Sequence, residues 1–83
     1  MKTEMYVIYD QKAKIYNKPF HQINESVAIR TVADLVNDAN SDSSRHPEDY
    51  ILFRVATYDD SNAEIQTFTP ELICKFHEIK EVL

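Results

Sequence analysis

The sequence predicts an α+β fold: a single small domain over residues 1–83, with a mainly antiparallel sheet in the order β-β-α-β-β, one amphipathic helix packed on it, and a tail of undecided form. Three patterns lead there. Residues 3–10 and 50–58 are dense in β-branched and aromatic types. Each is followed by a polar turn and a shorter apolar return. Only residues 24–39 carry the three- and four-residue spacing of a helix.

In chain order, Thr3 to Asp10 reads as a first strand, short enough to be largely covered on both faces. Gln11 to Lys14 interrupts the apolar run and Ile15 to Asn17 resumes it, which predicts a hairpin returning toward Phe20. Pro19 has no N–H to donate, so this return belongs at a sheet edge. From Asn24 onward, Ala28, Ile29, Val32, Leu35, Val36 and Ala39 fall on one helical side, with Arg30, Thr31, Asp34, Asn37 and Asp38 opposite. Asn24 or Ser26 is expected to cap this helix, with Glu25 at the positive end of its dipole, and the helix should stop near Asp38 to Asn40.

Residues 40–49 are uniformly polar and are expected as the longest loop, made of local turns. Tyr50 to Tyr58 is the strongest strand, with Ile51, Phe53 and Val55 on one face and Tyr50, Leu52, Arg54, Ala56 and Tyr58 on the other. Asp59 to Asn62 should turn the chain, and Ala63 to Phe68 should return as a second hairpin. Beyond it, Thr69-Pro70-Glu71 has the marks of a helix start, while Leu72 to Phe76 reads equally as a strand. Residues 78–83 carry weak helical character.

Composition narrows the functions. A chain of 83 residues builds one modest core, so self-association into a homo-oligomer is expected to supplement it. There is no glycine, which excludes phosphate-cradling loops and the glycine-flanked nucleophile elbow in their usual form. The single cysteine, Cys74, can form neither an intramolecular disulfide nor a multi-cysteine zinc site, and among Leu72, Ile73 and Phe76 it reads as a buried apolar residue. His21, His46 and His77 lack metal-ligand spacing, so neither a metal nor any other cofactor is expected. No stretch approaches the roughly 20 apolar residues of a membrane span, and the start lacks the pattern of a secretory signal. The expected setting is a reducing cytoplasm without membrane contact.

The net charge is −5 but unevenly placed: residues 1–30 hold five cations against three carboxylates, and residues 31–83 hold four against eleven. An acidic surface repels a polyanion, so only a local basic strip can serve nucleic acid. The candidate strip is Lys12, Lys14, Tyr16, Lys18 and Phe20, with Arg30 as a further cation. In one extended strand the first five share a face, setting ammonium groups for phosphates beside rings for bases. The same lysines also suit the protection of an edge strand from aggregation.

A second candidate surface is acidic: His46, Pro47, Glu48 and Asp49, with Asp59 and Asp60. His46, Glu48 and Asp49 form the one dense acid-base cluster, yet no nucleophile or oxyanion donor accompanies them, so loop closure or partner binding is expected rather than catalysis. Met5 to Tyr9 and Tyr50 to Phe53 share their aromatic content with the central strands of an RNA-recognition module. The strand order differs and its glycines are missing, so packing is their expected role.

Several segments together resemble a known family. Residues Met5 to Ala13, Pro19-Phe20, Ala28 to Arg30, Asp34 to Asp38 and His46 to Phe53, with Tyr58-Asp59-Asp60, resemble the small nonstructural protein of gokushovirus-type microviruses, which are phages with single-stranded DNA genomes. The Pro47-Glu48-Asp49-Tyr50 element and the helix end Asp34 to Asp38 are its most specific parts. Beyond Asp60 the likeness rests on Pro70 and Leu72 to Cys74. The resemblance implies a non-capsid phage protein of the infected host, associated with genome replication, single-stranded DNA synthesis or packaging, with DNA binding as the suggested activity and no catalytic residues.

The expected function is therefore a non-enzymatic phage accessory protein in the host cytoplasm that contacts single-stranded DNA. The alternative is an acidic module that regulates a phage or host replication or assembly protein without touching DNA.

Overall fold

The computed structural model describes residues 1–80. Its elements are β1 (Lys2–Asp10), β2 (Ile15–Tyr16), β3 (Phe20–Gln22), α1 (Glu25–Val36), α2 (Asp42–Arg45), a 3-10 turn (Pro47–Asp49), β4 (Tyr50–Asp59), β5 (Glu64–Lys75) and α3 (Phe76–Ile79). The five-stranded sheet is antiparallel in the order β2-β1-β4-β5, and β3 also pairs with β1. The α+β class holds. The predicted return strand is split in two: Lys18 and Pro19 separate β2, opposite Tyr9 and Asp10, from β3, opposite Glu4 to Tyr6.

Helix α1 begins where Asn24 accepts the Val27 N–H at 3.0 Å. Its apolar stripe buries Ala28, Val32 and Val36 against Tyr6, Leu52, Cys74 and Phe76, and this cluster is the core. Complete burial of side chains this size contributes about 1.5–3 kcal/mol each. The helix ends at Val36, earlier than its spacing predicts. The Asn37 N–H and side-chain amide both return to the Ala33 carbonyl, and the Ser41 hydroxyl donates to the Leu35 carbonyl at 2.7 Å.

The expected loop over residues 40–49 is built of local turns, and two of them are helical: α2 and the 3-10 turn. Ser41 caps the first by accepting the Ser44 N–H at 3.1 Å, and Pro47 opens the second. Ser43 and Ser44 are buried there.

The face assignment of β4 also changes. Tyr6 pairs with Arg54 while Met5 pairs with Ala56, so Val55 is an extra residue. Such a bulge shifts the alternation by one. Ala56 and Tyr58 therefore join Ile51 and Phe53, while Tyr50, Leu52 and Arg54 face the helices. In the tail the strand reading prevails: β5 continues through Pro70 to Lys75, then gives way to the single turn of α3. Pro70 sits on an edge strand, between the Arg54–Glu71 and Ala56–Thr67 pairs where register slips, and there its missing N–H breaks no regular ladder. Of the weak helical signal over 78–83, residues 81–83 lie outside the described residues.

Both long hairpins turn without glycine. The Asp10 carboxylate accepts the Lys12 and Ala13 N–H groups, and the Asp59 carboxylate accepts the Ser61 N–H. Each turn closes on a residue with positive φ, Lys14 at 59° and Ala63 at 62°. For a residue with a Cβ that conformation costs about 1–2 kcal/mol. Ala63→Gly is expected to stabilise the protein by about 1 kcal/mol and raise the melting temperature by about 4–8 °C, read by circular dichroism.

Candidate nucleic-acid interface

The helices cover only one face of the sheet; α1, α2 and α3 pack with one another and on the core side. No described helix covers the other, open face, on which Val7, Ile51 and Ala56 are buried and Tyr9, Phe53 and Tyr58 half-buried. Strand register places Met5, Val7 and Tyr9 on it, with Tyr16 opposite Tyr9, His21 opposite Met5 and Phe53 opposite Val7. Tyr58, Ile65 and Leu72 extend it across β4 and β5.

Its rings form two groups. The Tyr9 ring lies 4.4 Å from Tyr16 and 6.4 Å from Phe53, and Tyr16 and Phe53 are 6.2 Å apart. His21 meets the edge of Tyr58 at 5.6 Å. Tyr16, Ile65 and Leu72 remain 51%, 54% and 48% exposed, which is unusual for apolar side chains sharing one face.

The charges divide by face. Register puts the strand carboxylates Glu4, Asp10, Asp59, Glu64 and Glu71 on the helix side. Among the described strand residues, the open face carries no carboxylate and one cation, Lys75, opposite Ile51. On the helix side Arg54 is held between Glu4 at 2.8 Å and Glu71 at 2.9 Å, with its guanidinium 4.8 Å from the Phe68 ring centroid. The hydrogen bond it donates to Glu71, then that to Glu4, raises its already high pKa.

The predicted basic ribbon does not form as one face. Lys12 and Lys14 lie in the β1–β2 turn, where Lys14 adopts positive φ, and Lys18 lies in the break before β3. A chain that turns and then breaks at Pro19 has no continuous two-residue period. Tyr16 is on the open face, whereas Phe20 pairs with Tyr6 and turns its half-buried ring toward the core, 5.9 Å from the Tyr6 ring. Arg30 is exposed on α1, in the helix layer. What remains together is Tyr16, with three exposed lysines in the segments on either side of it. Tyr9 and Phe53, expected only to pack, join it; Tyr58 lies apart with His21, and the bulge at Val55 that puts it on this face leaves no signal in residue type.

The acidic candidates also separate. Ligand atoms of His46, Glu48 and Asp49 lie within 4.8 Å of one another, and the Asp49 carbonyl accepts the Gln11 N–H at 2.8 Å, tying this turn to the end of β1. Pro47 opens the same turn. Asp59 and Asp60 stand at the far end of β4, about 30 Å away at strand rise. Asp60 accepts from the Met1 ammonium at 2.6 Å, and the Ser61 hydroxyl and N–H hold Asp59 below the ordinary carboxylate range. These six residues do not form one patch.

Two buried polar groups bear on stability. Among the described residues the buried Tyr6 hydroxyl has no hydrogen-bond partner, and it lies beside a cleft of about 260 Å³ that Glu4, Glu25, Arg54 and Glu71 also line. Burial raises its pKa first, and Glu4 adds to the rise. An unpaired buried hydroxyl costs about 1–3 kcal/mol, so Tyr6→Phe is expected to raise the urea midpoint, by about 1 kcal/mol of stability. Cys74 is buried in the core, and desolvation pushes its thiol up to about 11. Alkylation by iodoacetamide at pH 8 is expected to track unfolding, with the native thiol inert and the urea-unfolded one reacting within minutes.

Among the described residues no helix is long and apolar enough to cross a membrane. No curated protein and no solved structure matches the chain. Residues 3–79 match the phage family described as Phage ORF5 protein. That match runs from β1 through α3 and takes in both faces of the sheet, and the chain belongs to this phage protein family.

Proposed function

We propose that this phage protein is a non-catalytic accessory protein that contacts single-stranded DNA through its open sheet face, acting as a homo-oligomer in genome replication, single-stranded DNA synthesis or packaging in the host cytoplasm. The observation that carries the reading is the separation of charge: an aromatic face without strand carboxylates on a protein of net charge −5. Bases stack on rings irrespective of sequence, and a phosphate chain approaches most readily where no carboxylate stands. Tyr9, Tyr16, Phe53 and Tyr58 offer the stacking surface. Lys12, Lys14 and Lys18 border it at one end and Lys75 lies on it, placed for phosphates. The resemblance to the small microvirus nonstructural protein supports the single-stranded DNA context.

With at most four lysines to meet phosphates, binding should be modest and only mildly salt-dependent, with a log–log slope of about −3 or shallower. Fluorescence anisotropy of a labelled oligothymidylate is expected to show saturable binding at low salt that weakens as salt rises. Absence of binding at low salt rejects the reading.

A further inference from the structure

The helix side carries a second surface. Two adjoining hollows, about 390 and 400 Å³, share Ile8 and Leu35 and together form a groove between α1, the β1–β2 hairpin and α2. Its floor is apolar, adding Tyr50 and Phe76 at one end and Phe20 at the other. Leu35 belongs to the apolar stripe of α1 by spacing, yet it is 39% exposed, and Ile15 on the facing hairpin is 62% exposed. Both are large apolar side chains left without cover among the described residues.

The lining is acidic. Asp10 and Asp42 line the first hollow, Asp34 and Asp38 the second, and among the described residues no Lys or Arg lines either. Among the described residues only Asp42 of the four is in an ion pair, with Arg45. Asp10 and Asp38 also accept backbone N–H groups, from Lys12 and Asn40.

We infer that this groove docks a basic segment of another protein, with bulky apolar side chains seated in the two hollows and neighbouring lysines or arginines meeting the aspartates. Four carboxylates repel a phosphate chain, so nucleic acid does not fit this face. The basic stretch of a second copy does not fit either, because Lys12 to Lys18 includes the groove wall, Ile15 to Asn17, and cannot leave one groove to fill another without dismantling it. An apolar anchor flanked by cations satisfies both the uncovered floor and the acidic rim. The groove opens on the other side of the sheet from the open face and shares with it only Tyr16, in the wall Ile15 to Asn17, so peptide binding at Ile8 and Leu35 is read apart from DNA binding.

The test is an NMR titration of the methyl-labelled full chain with a short synthetic peptide of alternating lysine and leucine. Saturable shifts are expected at Ile8, Ile15 and Leu35. A lysine-only peptide should bind at least tenfold more weakly, and a glutamate–leucine peptide should not bind. Leu35→Lys, at a half-exposed position, is expected to weaken binding at least tenfold while the Val32 and Leu52 methyl signals stay in place. If that variant does not fold, the Asp34→Asn/Asp38→Asn pair at exposed positions should weaken binding several-fold. No shifts, equal shifts with the lysine-only peptide, shifts confined to Val7, Ile51 and Leu72 on the open face, or self-association abolished by Leu35→Lys would each overturn the inference. Oligothymidylate binding is measured separately, so either reading can fail alone.

Discussion

Leu52→Ala is expected to remove about 2–5 kcal/mol of stability, read as a fall in the urea midpoint with an unchanged slope. Leu52 is fully buried at the centre of the core, on the strand that pairs with both β1 and β5, and it packs in one cluster with Val32 of α1 and Phe76 of α3. Truncation leaves a cavity that rigid neighbours on two sides cannot fill. A chain of 83 residues has a total stability of about 4–12 kcal/mol, so this one change takes at least about a sixth of it. A shift below about 1 kcal/mol would mean that the helix layer is not packed on the sheet as described.

Tyr16→Ala is expected to weaken oligothymidylate binding about 5- to 150-fold, since loss of one base–ring stack costs about 1–3 kcal/mol. Tyr16 is half-exposed on an edge strand, and its loss should cost the fold only about 1 kcal/mol through its contacts with Tyr9 and Phe53. Tyr16→Phe retains the ring and should retain the affinity. If Tyr16→Ala binds as the parent does, the stacking surface lies elsewhere. The pair of variants separates stacking from stability, which the core substitution does not.

The two surfaces give the acidic composition a physical meaning. Repulsion from carboxylates decays with distance and is screened over about 10 Å at ordinary salt. A sheet that holds its strand carboxylates on the helix side can therefore offer nucleic acid an approach that the net charge of −5 does not suggest. The same segregation concentrates Asp10, Asp34, Asp38 and Asp42 around an apolar groove suited to a cationic partner.

Local patterns carried much of this protein in the sequence alone. The Asn24 cap, the stripe Ala28–Val32–Val36 and the strands at 3–10 and 50–58 are readable because backbone periodicity and capping act over a few residues. The glycine-free turns are legible in part, through the Asp10 and Asp59 side chains that organise them. The tertiary structure decided what those patterns leave open. Whether residues 69–75 form helix or strand depended on a partner in β4, and which residues share a face with Phe53 depended on an unpaired Val55. The basic ribbon failed for the same reason: a two-residue period says which side chains share a face only while the strand continues, and here a turn and a proline end it. Leu35 shows the limit from the other side, since its spacing marks it for the core but only the placement of the neighbouring hairpin determines whether anything covers it. Sequence periodicity sets the local element; pairing register and layer packing, which join residues far apart in the chain, set which face each side chain finally occupies.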